Sequence, residues 1–263
     1  MNHEFCRRNG LLLPCLAAIA LLVAAQGPVG SAEPAAKRVL IVTVMDYPGH
    51  LWRQTSPVLS EAIRQDSRLD VYTVEDPHFL DSSALSRYDA LVIHWKNWEE
   101  PAPGEAAREN VRRFVEAGKG IAVVHFGCGA WHGEWPEFSN VIGRVWFGLG
   151  PDKRQHDPYG TFRVEIANPN HPIVRGMSAF ETTDELYTCL MGEHPIEVLV
   201  QAKSKVDGKD YPLAFVSQYG QGRAFHCLLG HDVKAFSAPQ VQQLFCRGIA
   251  WAAGLEPESV SGN

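Results

Sequence analysis

The first half of the chain alternates continuous apolar runs with amphipathic ones. Arg38–Met45, Leu69–Val74, Ala90–Trp95 and Gly120–Val124 are apolar stretches of strand length. Between them, Thr55–Gln65 carries Val58, Leu59, Ala62 and Ile63 at helical spacing. Gly104–Ala117 carries Val111, Phe114 and Val115 on one stripe and is ended by Gly118. Short apolar strands separated by helices predict a parallel sheet covered on both faces. Trp131–Pro158 is irregular and rich in Gly, Trp and His, and loops of that length are usually functional. Beyond it the rhythm changes. Thr161–Ile166, Glu181–Leu190, Glu197–Lys203, Tyr211–Tyr219 and Arg223–Leu229 read as strands with no helix between them. Asn168-Pro-Asn170 reads as a turn and Asp207-Gly208 as a hairpin turn. Pro239–Ala253, apolar at Val241, Leu244, Phe245, Ile249 and Trp251, closes the chain as a helix. The expected fold is α/β, a doubly wound, mostly parallel sheet with an added antiparallel portion.

Composition narrows this picture. The 263 residues, 45% of them hydrophobic, suffice for one sizeable core. Residues 1–32 have the layout of a secretory signal peptide: Arg7-Arg8, an apolar stretch from Leu11 to Ala25, and small residues at Gly30-Ser31-Ala32. Residues 33–37 are a lead-in, 38–254 the folded domain and 255–263 a tail. Export to the periplasm is therefore expected, with an N-terminal anchor at the membrane surface as the alternative and no membrane span in the mature chain. Removal of Glu4, Arg7 and Arg8 with that segment takes the formal charge from −6 to −7. So acidic a chain is poorly suited to nucleic acid, whose affinity rests on clustered Lys and Arg. No Cys-x-x-Cys spacing occurs, which speaks against a cysteine zinc site. Cys227 and Cys246 fall inside apolar runs, where free Cys acts as a small hydrophobe; the pairing of Cys128, Cys189, Cys227 and Cys246 is left open.

Three histidines follow directly on apolar strand runs: His50, His125 and His231. Ligands of open parallel sheets bind outside the carboxyl ends of the strands, so these imidazoles are expected to share one site. Neutral imidazole is the commonest metal ligand, which makes them candidate ligands of a divalent metal, zinc first, with no nucleotide cofactor. Asp184-Glu185-x-Tyr187 adds two carboxyls and a phenol suited to acid–base work. His125, Glu185, Tyr187 and Asp184 are thus candidate catalytic residues. Tryptophans crowd the strand ends and the long loop. Indole faces suit the C–H faces of sugar rings, so Trp52, Trp98 and Trp131, with His156, are candidate contacts for a saccharide.

Several segments together resemble the ThuA-like (trehalose-utilisation) family of the class I glutamine amidotransferase-like superfamily. They include Gly49-His50-Leu-Trp52-Arg53, Val115-Glu-Ala-Gly118 through His125, and His171-Pro172-Ile-Val-Arg-Gly176. Asp184-Glu185-Leu-Tyr187, Leu229-Gly230-His231-Asp232 and Gly248-Ile-Ala-Trp251 continue the match, from about Arg38 to Gly254. The resemblance implies a flavodoxin-like fold and carbohydrate metabolism, including disaccharides oxidised to 3-keto sugars, and a homodimer is expected because small domains of this group often pair. One departure bears on chemistry. Where the wider group has a nucleophilic Cys after the strand ending at Val124, this chain has His125, and Cys128 comes three residues later. Glutamine amidotransfer is therefore not expected. A lyase, hydrolase or isomerase acting on a keto-saccharide through an enolate is expected instead. A non-catalytic sugar-binding or sensing protein and another metal-dependent hydrolase are the alternatives.

Overall fold

The computed structural model describes residues 35–45, 49–97, 101–146, 148 and 155–257. The expected signal peptide and Trp98 lie outside the described residues. In chain order the elements are β1 (Lys37–Met45), α1 (Trp52–Arg64), β2 (Leu69–Val74), β3 (Ala90–Lys96), α2 (Glu105–Glu116) and β4 (Gly120–Val124). Then come α3 (Phe138–Ile142), β5 (Val145–Trp146), β6 (Gly160–Ile166), β7 (Phe180–Asp184) and β8 (Leu190–Met191). The last are β9 (Glu197–Lys203), β10 (Asp210–Tyr219), β11 (Gly222–Cys227), α4 (Val233–Phe236) and α5 (Pro239–Ala252).

Nine strands form one sheet in the order β2-β1-β3-β4-β11-β10-β9-β6-β7. The five from β2 to β11 are parallel. The remaining four extend the same sheet antiparallel. The inner strands β1, β3 and β4 are buried on both faces, and the pleat sorts their side chains into two cores. Val39, Ile41, Val92 and Ala122 pack with Leu59 and Ile63 of α1 and Leu244 and Ile249 of α5. Leu40, Val42, Ile93 and Val123 face the other way, onto Val111, Phe114 and Val115 of α2. Each such side chain contributes about 1.5–3 kcal/mol on full burial, which is why an uninterrupted apolar strand reads so plainly. Pro77–Asp81 and Ser83–Arg87 are short 3-10 turns that carry β2 over to β3 in place of a helix.

Two expectations for the second half need correction. The run Glu181–Leu190 is not one strand: β7 stops at Asp184, and Leu190–Met191 pairs instead with Val145–Trp146 in a separate ribbon. The cause is Asp184, whose own carboxylate accepts the Glu185 N–H at 2.8 Å and so ends the ladder. The stretch Trp131–Pro158 is not wholly irregular, because it contains α3 and β5. Among the described residues no helix is long and apolar enough to cross a membrane, and the cysteines Cys128, Cys189, Cys227 and Cys246 are buried and unbridged.

Candidate functional site

The carboxyl ends of the parallel strands meet on one edge of the sheet. Strand order reverses beside β1, the place where open α/β sheets hold ligands. β4 ends there in a sharp turn, and His125 takes it with φ of +45°. A non-glycine residue in the left-handed region costs on the order of 1–3 kcal/mol and persists only where its surroundings enforce it. Gly127 lets the turn press onto β3, because a Cβ at that position would stand 2.3 Å from the Ile93 carbonyl oxygen.

The turn sets the His125 imidazole in full burial. Its Nδ1 lies 2.6 Å from the Leu228 carbonyl oxygen. A carbonyl only accepts, so Nδ1 carries the proton and Nε2 presents a lone pair. Burial and the neighbouring His50 imidazole hold the pKa of His125 well below the ordinary value, and the ring stays neutral. Around Nε2 stand His50 Nε2 at 3.3 Å and the Tyr187 hydroxyl at 3.1 Å. Glu185 Oε2 lies 3.7 Å from it. The other oxygen, Glu185 Oε1, faces His231 Nε2 at 3.4 Å and His156 Nε2 at 3.5 Å. His50, His156, Glu185, Tyr187 and His231 line a cavity of about 240 Å³, with Gly49, Lys96, Phe126, Cys128, Trp146 and Gln155 completing the wall. Burial takes the pKa of His50 down to about 3. Burial likewise keeps the Tyr187 phenol well above its ordinary value, so it holds its proton and donates it to His125 Nε2.

The expected ligand trio was His50, His125 and His231. The trio that closes up is His50, His125 and Glu185, with one donor atom from each within 4.8 Å of the others. Tetrahedral zinc at about 2.0–2.1 Å from two nitrogens sets them about 3.3 Å apart; His50 Nε2 and His125 Nε2 are separated by 3.3 Å. His231 lies beside this trio, its ring centroid 4.9 Å from that of His50 and its Nε2 3.4 Å from Glu185 Oε1, its loop turned by Gly230 at φ of +119°.

Asp184 has a different place from the one its sequence neighbours suggested. Its side chain is fully buried, and its oxygens accept from the backbone N–H groups of Gly230 at 2.7 Å, Glu185 at 2.8 Å and His231 at 3.2 Å. It ties β7 to the loop after β11 and is a positioning residue, not the catalytic one expected. Burial raises its pKa to about 7.

Residues 38–252 match the ThuA family, described as trehalose utilisation. The chain belongs to the ThuA family. Among solved structures it is similar to a ThuA-like protein from Parabacteroides merdae, at 24% identity and TM-score 0.73 over 85% of this chain and 92% of that one. A ThuA-like protein from Bacteroides uniformis matches at 18% identity and TM-score 0.65, over 86% and 95% of the two chains. A β-galactosidase from Bacillus circulans sp. alkalophilus contains a similar fold, at 16% identity and TM-score 0.54, over 84% of this chain and 32% of that one. At these identities the likeness is one of fold. No curated protein matches.

In this ThuA-family chain the setting of the cysteine after the β4 turn works against a nucleophilic role. Cys128 is buried, and burial drives its thiol well above the ordinary value, whereas a nucleophile needs a thiolate. Two expected sugar contacts are also corrected. Trp52 packs with Phe126 and lies outside the cavity wall. Trp131 is buried against Trp95, Trp135 and Phe138 and donates its indole N–H to the Pro103 carbonyl at 2.7 Å. Both read alike in sequence, since an indole past a strand end can point into the cleft or back beneath it. His156 does line the cavity. The indole that faces it is Trp146, over which Lys96 Nζ sits at 3.5 Å. Lys96 escaped the sequence reading, though a lysine closing an otherwise apolar strand was a usable signal.

Proposed function

We propose that this protein is an exported carbohydrate-processing enzyme that cleaves a 3-keto-glycoside by proton abstraction. One observation carries the reading: three imidazoles, a carboxylate and a phenol from distant segments line one small cavity, with the buried His125 at hydrogen-bond distance from two of them.

A ketone at C3 acidifies the hydrogen on C2 and places the C1 glycosidic oxygen where it can leave. His156 is the base. Its Nδ1 lies 2.7 Å from the Asp157 carbonyl oxygen, so that nitrogen carries the proton and Nε2 faces the cavity as an acceptor. Asp157 is itself fixed by the Ser204 hydroxyl at 2.9 Å and the Lys205 N–H at 2.9 Å, which holds the histidine in place. Removal of the C2 proton sends its electron pair into a C1–C2 double bond as the C1–oxygen bond breaks. Tyr187 protonates the departing oxygen; its raised pKa suits it to a strongly basic alkoxide. Lys96 adds positive charge on the same wall. This is elimination, and it needs no pair of carboxylates of the glycosidase kind.

His50, His125 and Glu185 are the donors that would hold a divalent ion, zinc by donor type. When bound, such an ion polarises a ketone oxygen as a Lewis acid. Its three protein donors, two imidazoles and a carboxylate, leave a fourth position for a ligand. The lone pair of His125 Nε2 serves one partner at a time, so the Tyr187 hydroxyl would be free to turn toward a substrate oxygen if His125 held an ion.

An NMR time course of a 3-keto-disaccharide with the protein, with zinc and with EDTA, tests the proposal. Chelator-sensitive loss of the glycosidic signal is expected. Ring changes with the bond intact would replace cleavage by isomerisation.

A further inference from the structure

Beside the histidine cavity lies a second hollow of about 430 Å³. The two share a wall: Cys128 and Trp146 line both. Trp146 sits on the β5–β8 ribbon, paired with Leu190, while its neighbour Val145 pairs with Met191. Trp146 and Cys128 thus mark the place where the keto-sugar cavity adjoins the hollow.

The linings differ in kind. The first cavity is made of imidazoles, a carboxylate, a phenol and an amine. The second is made chiefly of Trp131, Trp135, Phe138, Val145, Trp146 and Met191, with His132 and Ser139 as its polar side chains. Trp135 stacks on Phe138 with ring centroids 5.2 Å apart, and Trp131 meets both at 5.0–5.2 Å. Trp131 and Phe138 are fixed by burial, whereas Met191 is 50% exposed on the rim. Such a cluster gives rigid aromatic walls and one flexible apolar edge.

Resting on the keto-glycoside reading, we infer that this hollow is the aglycone subsite and that the natural substrate is a glycoside of an apolar, aromatic alcohol or phenol. Volume and polarity both point this way. The first cavity is smaller than the roughly 300–1,000 Å³ of typical small-molecule sites and suits one ring. A second sugar placed next door would bring several hydroxyls into a lining with few partners for them, and unpaired buried hydroxyls are costly. A flat apolar group meets no such cost.

The test compares kcat/KM for benzyl and methyl 3-keto-glucosides of the same anomer, whose leaving alkoxides are of similar basicity. Full-length protein and the Met191→Asp variant are used; the side chain is half exposed, so the variant is expected to fold. Wild-type protein should turn over the benzyl substrate roughly tenfold more efficiently, through KM. Met191→Asp should remove that advantage and leave methyl turnover unchanged. Equal efficiencies in the wild type, or a benzyl preference that survives Met191→Asp, would overturn the subsite while sparing the reaction. Absence of turnover for both substrates would bring down the underlying reading, and the subsite with it.

Discussion

The parallel and antiparallel halves of the sheet contribute to the site in unlike ways. The parallel half supplies Lys96 as the last residue of β3 and His125 directly after β4, with His50 and His231 further along the chain from the ends of β1 and β11. The antiparallel half supplies Glu185 and Tyr187 from the chain just after β7, where the ladder has already stopped. It meets His156 through a lone backbone bridge between His156 and Tyr187. One half is a rigid rack of strand ends. The other is a short clasp whose geometry depends on a few hydrogen bonds, Asp184 foremost. Strand-borne groups are positioned by packing, while the clasp is positioned by polar contacts that a single substitution removes.

The largest effects should come from the groups that meet between the halves. His156→Ala and Tyr187→Phe, which remove the base and the acid, should each lower kcat by about 10²–10⁴ in assays on a 3-keto-glycoside. Asp184→Asn should cost about 1–3 kcal/mol in denaturant unfolding, because an amide N–H₂ then confronts backbone N–H donors. It should also lower activity, with the parallel-half residues unaltered. Preserved activity in Asp184→Asn would mean that the clasp needs no such anchor.

Acid should weaken the rack more than the clasp. Burial holds His94 and His226 at about 3. As pH falls through 6.5 the unfolded chain takes up protons that the folded chain refuses, so stability is lost from about 6.5 down toward 3. Asp184 works the other way, since its folded pKa of about 7 favours the native state as pH falls toward 3.8. Two buried histidines outweigh one carboxyl, and the net effect is a melting temperature that declines below pH 6.5. Calorimetry across that range checks it. The smallest effect is reserved for Cys128→Ala, which should leave turnover within about a factor of two; a large loss would restore a nucleophilic thiol.

Legibility divides along the same line. Three of the four strands of the first half stood out because burial on both faces imposes continuous apolar runs, the edge strand β2 by its alternation of buried and exposed positions, and the two helices by their apolar stripes. His50 and His125 were legible as residues following such runs. Glu185 was read first as a catalytic carboxyl and only second as a neighbour of the histidine cluster, because nothing local says that its carboxylate closes on two histidines 60 and more positions upstream. The same holds for Asp184: a carboxyl satisfied by the backbone of Gly230 and His231 leaves no trace in the spacing around it. Tryptophan direction was equally hidden, since Trp52, Trp131 and Trp146 differ in what they face and not in what flanks them.

The account stands most directly on proton abstraction at C2. The decisive measurement is the kinetic isotope effect on kcat/KM for a 3-keto-glycoside deuterated at C2, followed with zinc-supplemented protein. A primary isotope effect, lost with turnover itself in His156→Ala, is the predicted result. Turnover with no isotope effect, or undiminished in His156→Ala, would contradict it and leave the cavity to some other chemistry.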